Sequence, residues 1–270
     1  MFMMKPLAAF DPGVLRAVRG VLCDIDDTIT TDGRLPAVAY AALEKLKAAG
    51  LLVAPITGRP AGWCDMIARV WPVDGVVGEN GAFYFRYDHD AKRMIRHFSQ
   101  DASTREANRK RLAALGDAVL RAVPGAAISA DQLYREVDIA IDFCEDVPRL
   151  GPVEIARIKA MFEAGGATAK ISSIHVNAWF GRHDKLSMTR RLFADEFGTD
   201  IDKERARFVF VGDSPNDAPM FGHFANAVGV ANIRRFLGVL DALPAFVTEA
   251  EGGQGFAEAA AAVLAARARS

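Results

Sequence analysis

The stretch "VLCDIDDTIT", Val21 to Thr30, sets three aspartates in four positions directly behind an apolar run. Like charges 4 Å apart repel by about 4 kcal/mol at an effective dielectric near 20, so Asp24 and Asp26 could share a cleft with Asp213 and Asp217 only with a cation beside them. Three other stretches carry comparable residue types. "PITGR" offers Thr57, Gly58 and Arg59, "RHDKLSM" offers Lys185 at the start of a helical pattern, and "VGDSPND" offers Asp213, Ser214, Asn216 and Asp217. Carboxylates, a hydroxyl and an ammonium together suit group transfer, one carboxylate attacking and another moving the proton. They can cooperate only if the fold gathers them, and in open parallel sheets the loops at the carboxyl ends of strands do so.

The bulk properties narrow the partners. The chain has 270 residues, 51% hydrophobic and 25% charged, with a formal net charge of −1. That length fits one large domain or two smaller ones. The charge gives no reason to expect nucleic acid or an anionic membrane as a partner, and small metabolites fit better. Cys23, Cys64 and Cys144 are odd in number, far apart and without metal-ligand spacing, which predicts a reducing, cytoplasmic setting. The start, "MFMMKPLAAFDPG", is too short an apolar run for a secretory signal, and no window of 18 apolar residues predicts a membrane span.

Short apolar runs alternate with amphipathic helices in the first third, the pattern of βαβ units. "GVLCDID" and "LLVAPITGR" read as buried strands, with "LPAVAYAALEKLKAAG" and "PAGWCDMIARVW" as helices after them. "DGVVGENGAFYF" reads as two strands through an Asn-Gly turn, its glycines at the wrong spacing for a dinucleotide fingerprint. From about Tyr87 the texture changes. A charged helix, "DASTREANRKRLAALGDAVLRAV", precedes "YREVDIAIDF", whose strict alternation predicts a half-exposed antiparallel strand. A helix over "PVEIARIKAMFEAG" and strands over "ATAKI" and "IHVNAW" complete this block, and past Gly181 the first pattern returns. The expected architecture is α/β: a Rossmann-like, doubly wound parallel-sheet core from residues 1–84 and 182–270, with an inserted α+β domain over 85–181.

The ordered motifs DxDxT, Thr57, Lys185 and GDxxND resemble the haloacid dehalogenase superfamily phosphohydrolases, and an insert between the second and third resembles that family's type 2 cap. The resemblance implies a metal-dependent phosphatase. Asp24 would attack phosphorus, giving an aspartyl-phosphate, and Asp26 would protonate the leaving alcohol and then activate water. Thr57 would bond a phosphoryl oxygen and Lys185 would balance the negative charge. Asp24, the Asp26 carbonyl and Asp213 would hold the ion, with Asp217 completing the shell or orienting Lys185. Carboxylate oxygens without Cys or His at ligand spacing point to Mg²⁺. Asp27 is expected to be a solvated or loop-bracing carboxylate, at a position where many relatives carry glycine.

Such caps resemble those of sucrose-phosphate, mannosyl-phosphoglycerate and trehalose-phosphate phosphatases, so the expected partner is a small phosphorylated metabolite, above all a sugar phosphate. Gly58, Arg59, Asn80, His175, Asn177 and Asn216 are the candidate substrate contacts. The strand period puts His175, Asn177 and Trp179 on one face. Arg105, Arg109 and Arg111 read as a solvated helix face. Two alternatives stand beside the phosphatase: a sugar phosphomutase and a non-catalytic phosphometabolite binder. A monomer or small homo-oligomer is the default.

Overall fold

The computed structural model describes residues 4–268. Its centre is a six-stranded parallel sheet in the order β1 (Lys5–Pro6), β13 (Phe246–Val247), β12 (Ala227–Gly229), β11 (Phe208–Gly212), β2 (Gly20–Cys23) and β3 (Leu52–Pro55). Helices cover both faces, so the strands other than the exposed edge strand β1 are apolar. Val21, Cys23, Val209 and Val211 pack with α1 (Pro12–Arg16), α2 (Ala37–Ala48), α3 (Ala61–Val70) and α8 (Gly252–Ala268). Leu22, Phe208 and Phe210 pack instead with α6 (Lys185–Phe197) and α7 (Ala218–His223). The doubly wound core expected from the alternating pattern is present.

A second sheet extends the first. The antiparallel strands β4 (Val76–Gly78), β5 (Phe83–Asp88) and β6 (Arg93–Phe98) join the core through a parallel bridge between Ile56 and Val77. The expected boundary between residues 84 and 85 therefore falls inside β5, and Phe83 and Phe85 belong to the buried cluster of the core helices. Strand β6, in the charged run "KRMIRHF", has no strong period-2 signal and was not expected.

The inserted block forms an antiparallel sheet in the order β7 (Ala127–Ile128), β8 (Ile139–Asp142), β10 (His175–Trp179) and β9 (Thr168–Ile171). One face packs on α4 (Ala102–Ala122) and α5 (Pro152–Ala164) through Leu112, Val119, Ile158 and Phe162. Asp101 starts α4 by accepting from the Thr104 amide at 2.7 Å. The alternation of β8 is real, but the expected half exposure is not: Asp138, Ala140 and Asp142 are all buried. Their face turns toward the core, and partners satisfy its polar groups, as buried carboxylates require. Asp142 alone accepts from the amides of Cys144, Glu145 and Asp146 at 2.7 to 2.8 Å.

The chain's two crossings between the blocks lie side by side. Gln100 Nε2 donates to the Phe180 carbonyl at 2.7 Å, and Ser99 Oγ lies 3.2 Å from His183 Nδ1. Among the described residues no helix is long and apolar enough to cross a membrane.

Candidate active site

The carboxyl ends of β2, β11 and the start of α6 meet at one point. Asp24 follows β2, and its amide donates to the Val211 carbonyl at 2.9 Å, which fixes the loop to the neighbouring strand. Lys185, 1% exposed, donates from Nζ to Asp24 Oδ1 at 2.9 Å and to Asp217 Oδ1 at 2.7 Å. Its place depends on Gly81, whose φ is +101° and where a Cβ would overlap the Asp184 carbonyl, so only glycine lets the β4–β5 turn press against the start of α6.

Asp213 completes the group. One oxygen each from Asp24, Asp213 and Asp217 lie within 4.8 Å of one another, and all three residues are buried. Asp213 accepts from Thr28 Oγ1 at 3.2 Å and Asn232 Nδ2 at 3.3 Å, while Asp217 Oδ2 takes the Asp213 and Ser214 amides. Burial pushes the Asp24 and Asp213 carboxyls up, and for Asp24 the pull of Lys185 only partly offsets it. For Lys185, burial opposes the charge, but Asp217 and Asp24 outweigh it and hold the ammonium protonated. One ammonium cannot neutralise three carboxylates, so the cluster's chemistry fits a hard divalent cation such as Mg²⁺. Both Asp217 oxygens already hold donors, which fits orienting Lys185 better than ligating an ion.

Asp26 stands apart from that cluster. Its carboxylate is taken by Arg59, whose Nε donates to both oxygens at 2.9 and 3.0 Å. Asp27 has a φ of 54°, its carbonyl accepts from Asn232 Nδ2 at 2.9 Å and its amide donates to Thr30 Oγ1 at 3.0 Å, so it braces the loop in the left-handed region that glycine favours.

Thr57 follows β3 and is fully buried, its Oγ1 accepting from the Arg59 amide at 3.0 Å with the hydroxyl hydrogen left to donate. Asn80 accepts from Asn216 Nδ2 at 3.2 Å, while its own buried Nδ2 has no partner. A Cβ at Gly58 would come 3.1 Å from that nitrogen. Asp24, Asp26, Gly58, Arg59, Ser172, His175, Asn177 and Asn216 line one cavity, so the expected cap residues do face the core carboxylates. Trp179 does not reach it; its indole N–H donates to the His183 carbonyl at 3.3 Å. Arg105 and Arg111 lie over the rings of Phe98 and Phe180, and Arg109 pairs with Glu106, all away from the cavity.

The seam between the two blocks is ionic. Arg59 Nη2 donates to Glu145 Oε1 at 2.6 Å, and Nη1 to Asp131 Oδ2 at 3.2 Å. Arg135 Nη1 returns a bond to the Gly58 carbonyl at 2.9 Å. Glu79, fully buried, accepts the amides of Ala61, Glu136, Val137 and Asp138. None of Glu79, Asp131, Arg135, Glu145, Ser172 or Asn232 was expected. The available signal was the charged set on the alternate face of "YREVDIAIDFCED", which a solvent-facing reading of that strand hides. The cavity's volume is ≈ 10 Å³, room for about one water.

The sequence profile of the haloacid dehalogenase-like hydrolases matches residues 21–110, the segment that carries Asp24, Asp26 and Thr57. That stretch, a third of the chain, is similar to the haloacid dehalogenase-like hydrolases. Solved structures share the fold over nearly the whole length of this chain. A protein of Thermoplasma acidophilum superposes with a TM-score of 0.64 at 20% identity, over 89% of this chain and 96% of its own. The sucrose-phosphatase of Synechocystis, solved with sucrose and phosphate, gives 0.61 at 16% identity, over 91% and 98%. A subclass IIB sugar phosphatase of the superfamily gives 0.59 at 16% identity, over 90% and 97%. No curated protein matches the sequence.

Proposed function

We propose that this protein hydrolyses phosphate monoesters of small metabolites, with sugar phosphates as substrates, through an aspartyl-phosphate on Asp24. The carrying observation is the ion pair of Lys185 with Asp24 and Asp217 beside Asp213, with Asp26 at the rim of the same cavity. On this reading the segments up to β6 and from about residue 182 form the catalytic core, and the block from α4 to β10 is a cap that chooses the substrate.

Asp24 attacks phosphorus in line, and Lys185 balances the charge shared by nucleophile and phosphoryl oxygens. Thr57 turns its hydroxyl hydrogen to a phosphoryl oxygen. Asp26 donates a proton to the leaving oxygen and later takes one from the water that cleaves the acyl phosphate, a task for a carboxyl kept in reach of both. Asp24, Asp213 and the Asp26 carbonyl would hold Mg²⁺, which when bound would supply neutralisation of charge at the phosphoryl group. The cap excludes bulk water, which strengthens each of these interactions. The sugar-phosphatase neighbours support the substrate class through fold alone.

The test is phosphate release from a panel of sugar, nucleotide and cofactor phosphates, with and without Mg²⁺, for wild type and Asp24→Asn. Metal-dependent release that disappears in Asp24→Asn is expected. Release that persists in that variant would end the assignment of Asp24.

A further inference from the structure

Resting on the phosphatase reading, we propose that the cap admits substrates whose only anionic group is the phosphate transferred, with a neutral, hydroxyl-bearing leaving group, and that Glu145 enforces this choice. The cap wall of the cavity consists of Ser172, His175 and Asn177, with no lysine or arginine from the cap among the lining residues. Glu145 stands behind two of the lining residues, its Oε2 2.9 Å from His175 Nε2 and its Oε1 2.6 Å from Arg59 Nη2.

The cations near the cavity are already committed. Lys185 serves Asp24 and Asp217. Arg59 faces Asp26, Asp131 and Glu145, three carboxylates against one guanidinium. Arg135, the buried cation of the cap, pairs with Asp131 and Asp138 and donates to the Gly58 carbonyl. A carboxylate or second phosphate on the leaving group would therefore approach Glu145 and Asp131 with no uncommitted cation among the residues that line the cavity, and like-charge juxtaposition is costly.

Hydroxyls find the opposite reception. Glu145 accepts from them, and Ser172, His175 and Asn177 can both donate and accept. With space for about one water, the cavity must open to admit substrate and reclose for the chemistry. Reclosure brings Glu145 and Asp131 back against the leaving group, so the discrimination acts in the reacting complex.

The experiment compares compounds of one carbon skeleton: a hexitol 6-phosphate, the corresponding aldonic acid 6-phosphate and a hexose 1,6-bisphosphate. Phosphate release is measured for wild type, Glu145→Gln and Glu145→Lys, and calorimetric binding for Asp24→Asn, which ranks affinities without turnover. The neutral compound is expected to lead by at least about tenfold in kcat/KM and in affinity, from the like-charge penalty on the others. Glu145→Gln should narrow the ratio and Glu145→Lys should invert it, mainly through KM, with thermal unfolding checking that both fold. Equal or better binding of the acid or the bisphosphate overturns the proposal, as does a ratio indifferent to residue 145. Absence of phosphate release from every compound strikes the phosphatase reading instead, and the binding order still decides the selectivity.

Discussion

The guanidinium of Arg59 holds the Asp26 carboxylate on its own side and, through Nη2, the Glu145 carboxylate of the inserted block at 2.6 Å. The contact that joins the two blocks thus also aims the proposed acid. Arg59→Lys keeps the charge but loses the planar fork that spans both partners. Its kcat should fall by about tenfold or more, since a misaimed acid forfeits much of the gain from proton transfer. Steady-state kinetics on the preferred substrate provide the check, and an unchanged kcat would show that Asp26 needs no such aim.

Lys185 sits between two buried carboxylates, so its removal should damage both stability and turnover. Lys185→Met leaves Asp24 and Asp217 facing each other without a cation, and breaking a buried pair in this way costs about 3–5 kcal/mol. Urea unfolding of the metal-free protein should show that loss, together with abolished phosphate release. A stable Lys185→Met would mean the carboxylates relax into water instead.

Most of the core was legible because its signals are local. "VLCDIDDT" and "VGDSPND" are apolar runs ended by acidic loops, and both produced a buried strand with its carboxylates at the carboxyl end. Lys185 was legible from its order along the chain, while its depth was not, since nothing in "RHDKLSM" tells a buried lysine from a surface one. The cap misled where alternation was equated with exposure. Asp138 and Asp142 alternate with Ile139 and Ile141 as a solvated face would, yet they are buried because Arg135, Asn177 and loop amides satisfy them. Whether a polar face meets water or another domain is a tertiary fact, absent from the period of one strand.

Mg²⁺ should stabilise the fold. A ligand that binds only the native state at 100 times its Kd adds about 2.7 kcal/mol. The unfolding midpoint should therefore climb with Mg²⁺ in wild type and stay flat in Asp213→Asn, where one member of the acidic cluster is neutral. Equal responses from the two proteins would place the ion elsewhere.

Glu79 is a positioning residue at the pivot of the two blocks. Its Oε1 accepts from Ala61 and Glu136 and its Oε2 from Val137 and Asp138, the shortest bond being 2.6 Å. In Glu79→Gln the amide NH₂ would confront N–H donors, leaving buried groups unsatisfied at about 1–3 kcal/mol each. Lower stability in urea is expected, with a raised KM for substrate because the cap strand it pins carries Asp138 and leads to Glu145. A KM that stays put while stability falls would confine Glu79 to folding.

The bridge across the seam contributes to the protein's response to acid. Burial alone would raise the Glu145 carboxyl, but His175 and Arg59 draw it down from 4.5 to about 2. Between those values the unfolded chain binds a proton that the folded one refuses, so stability rises with pH across that window. The contribution of Glu145 is complete above about 4.5 and lost as pH falls through about 2, and its partial exposure makes it modest. The stability difference between wild type and Glu145→Gln, from urea unfolding at successive pH values, should shrink as pH drops from 5 toward 2. A difference that holds constant over that range would mean Glu145 keeps no stronger partners folded than unfolded.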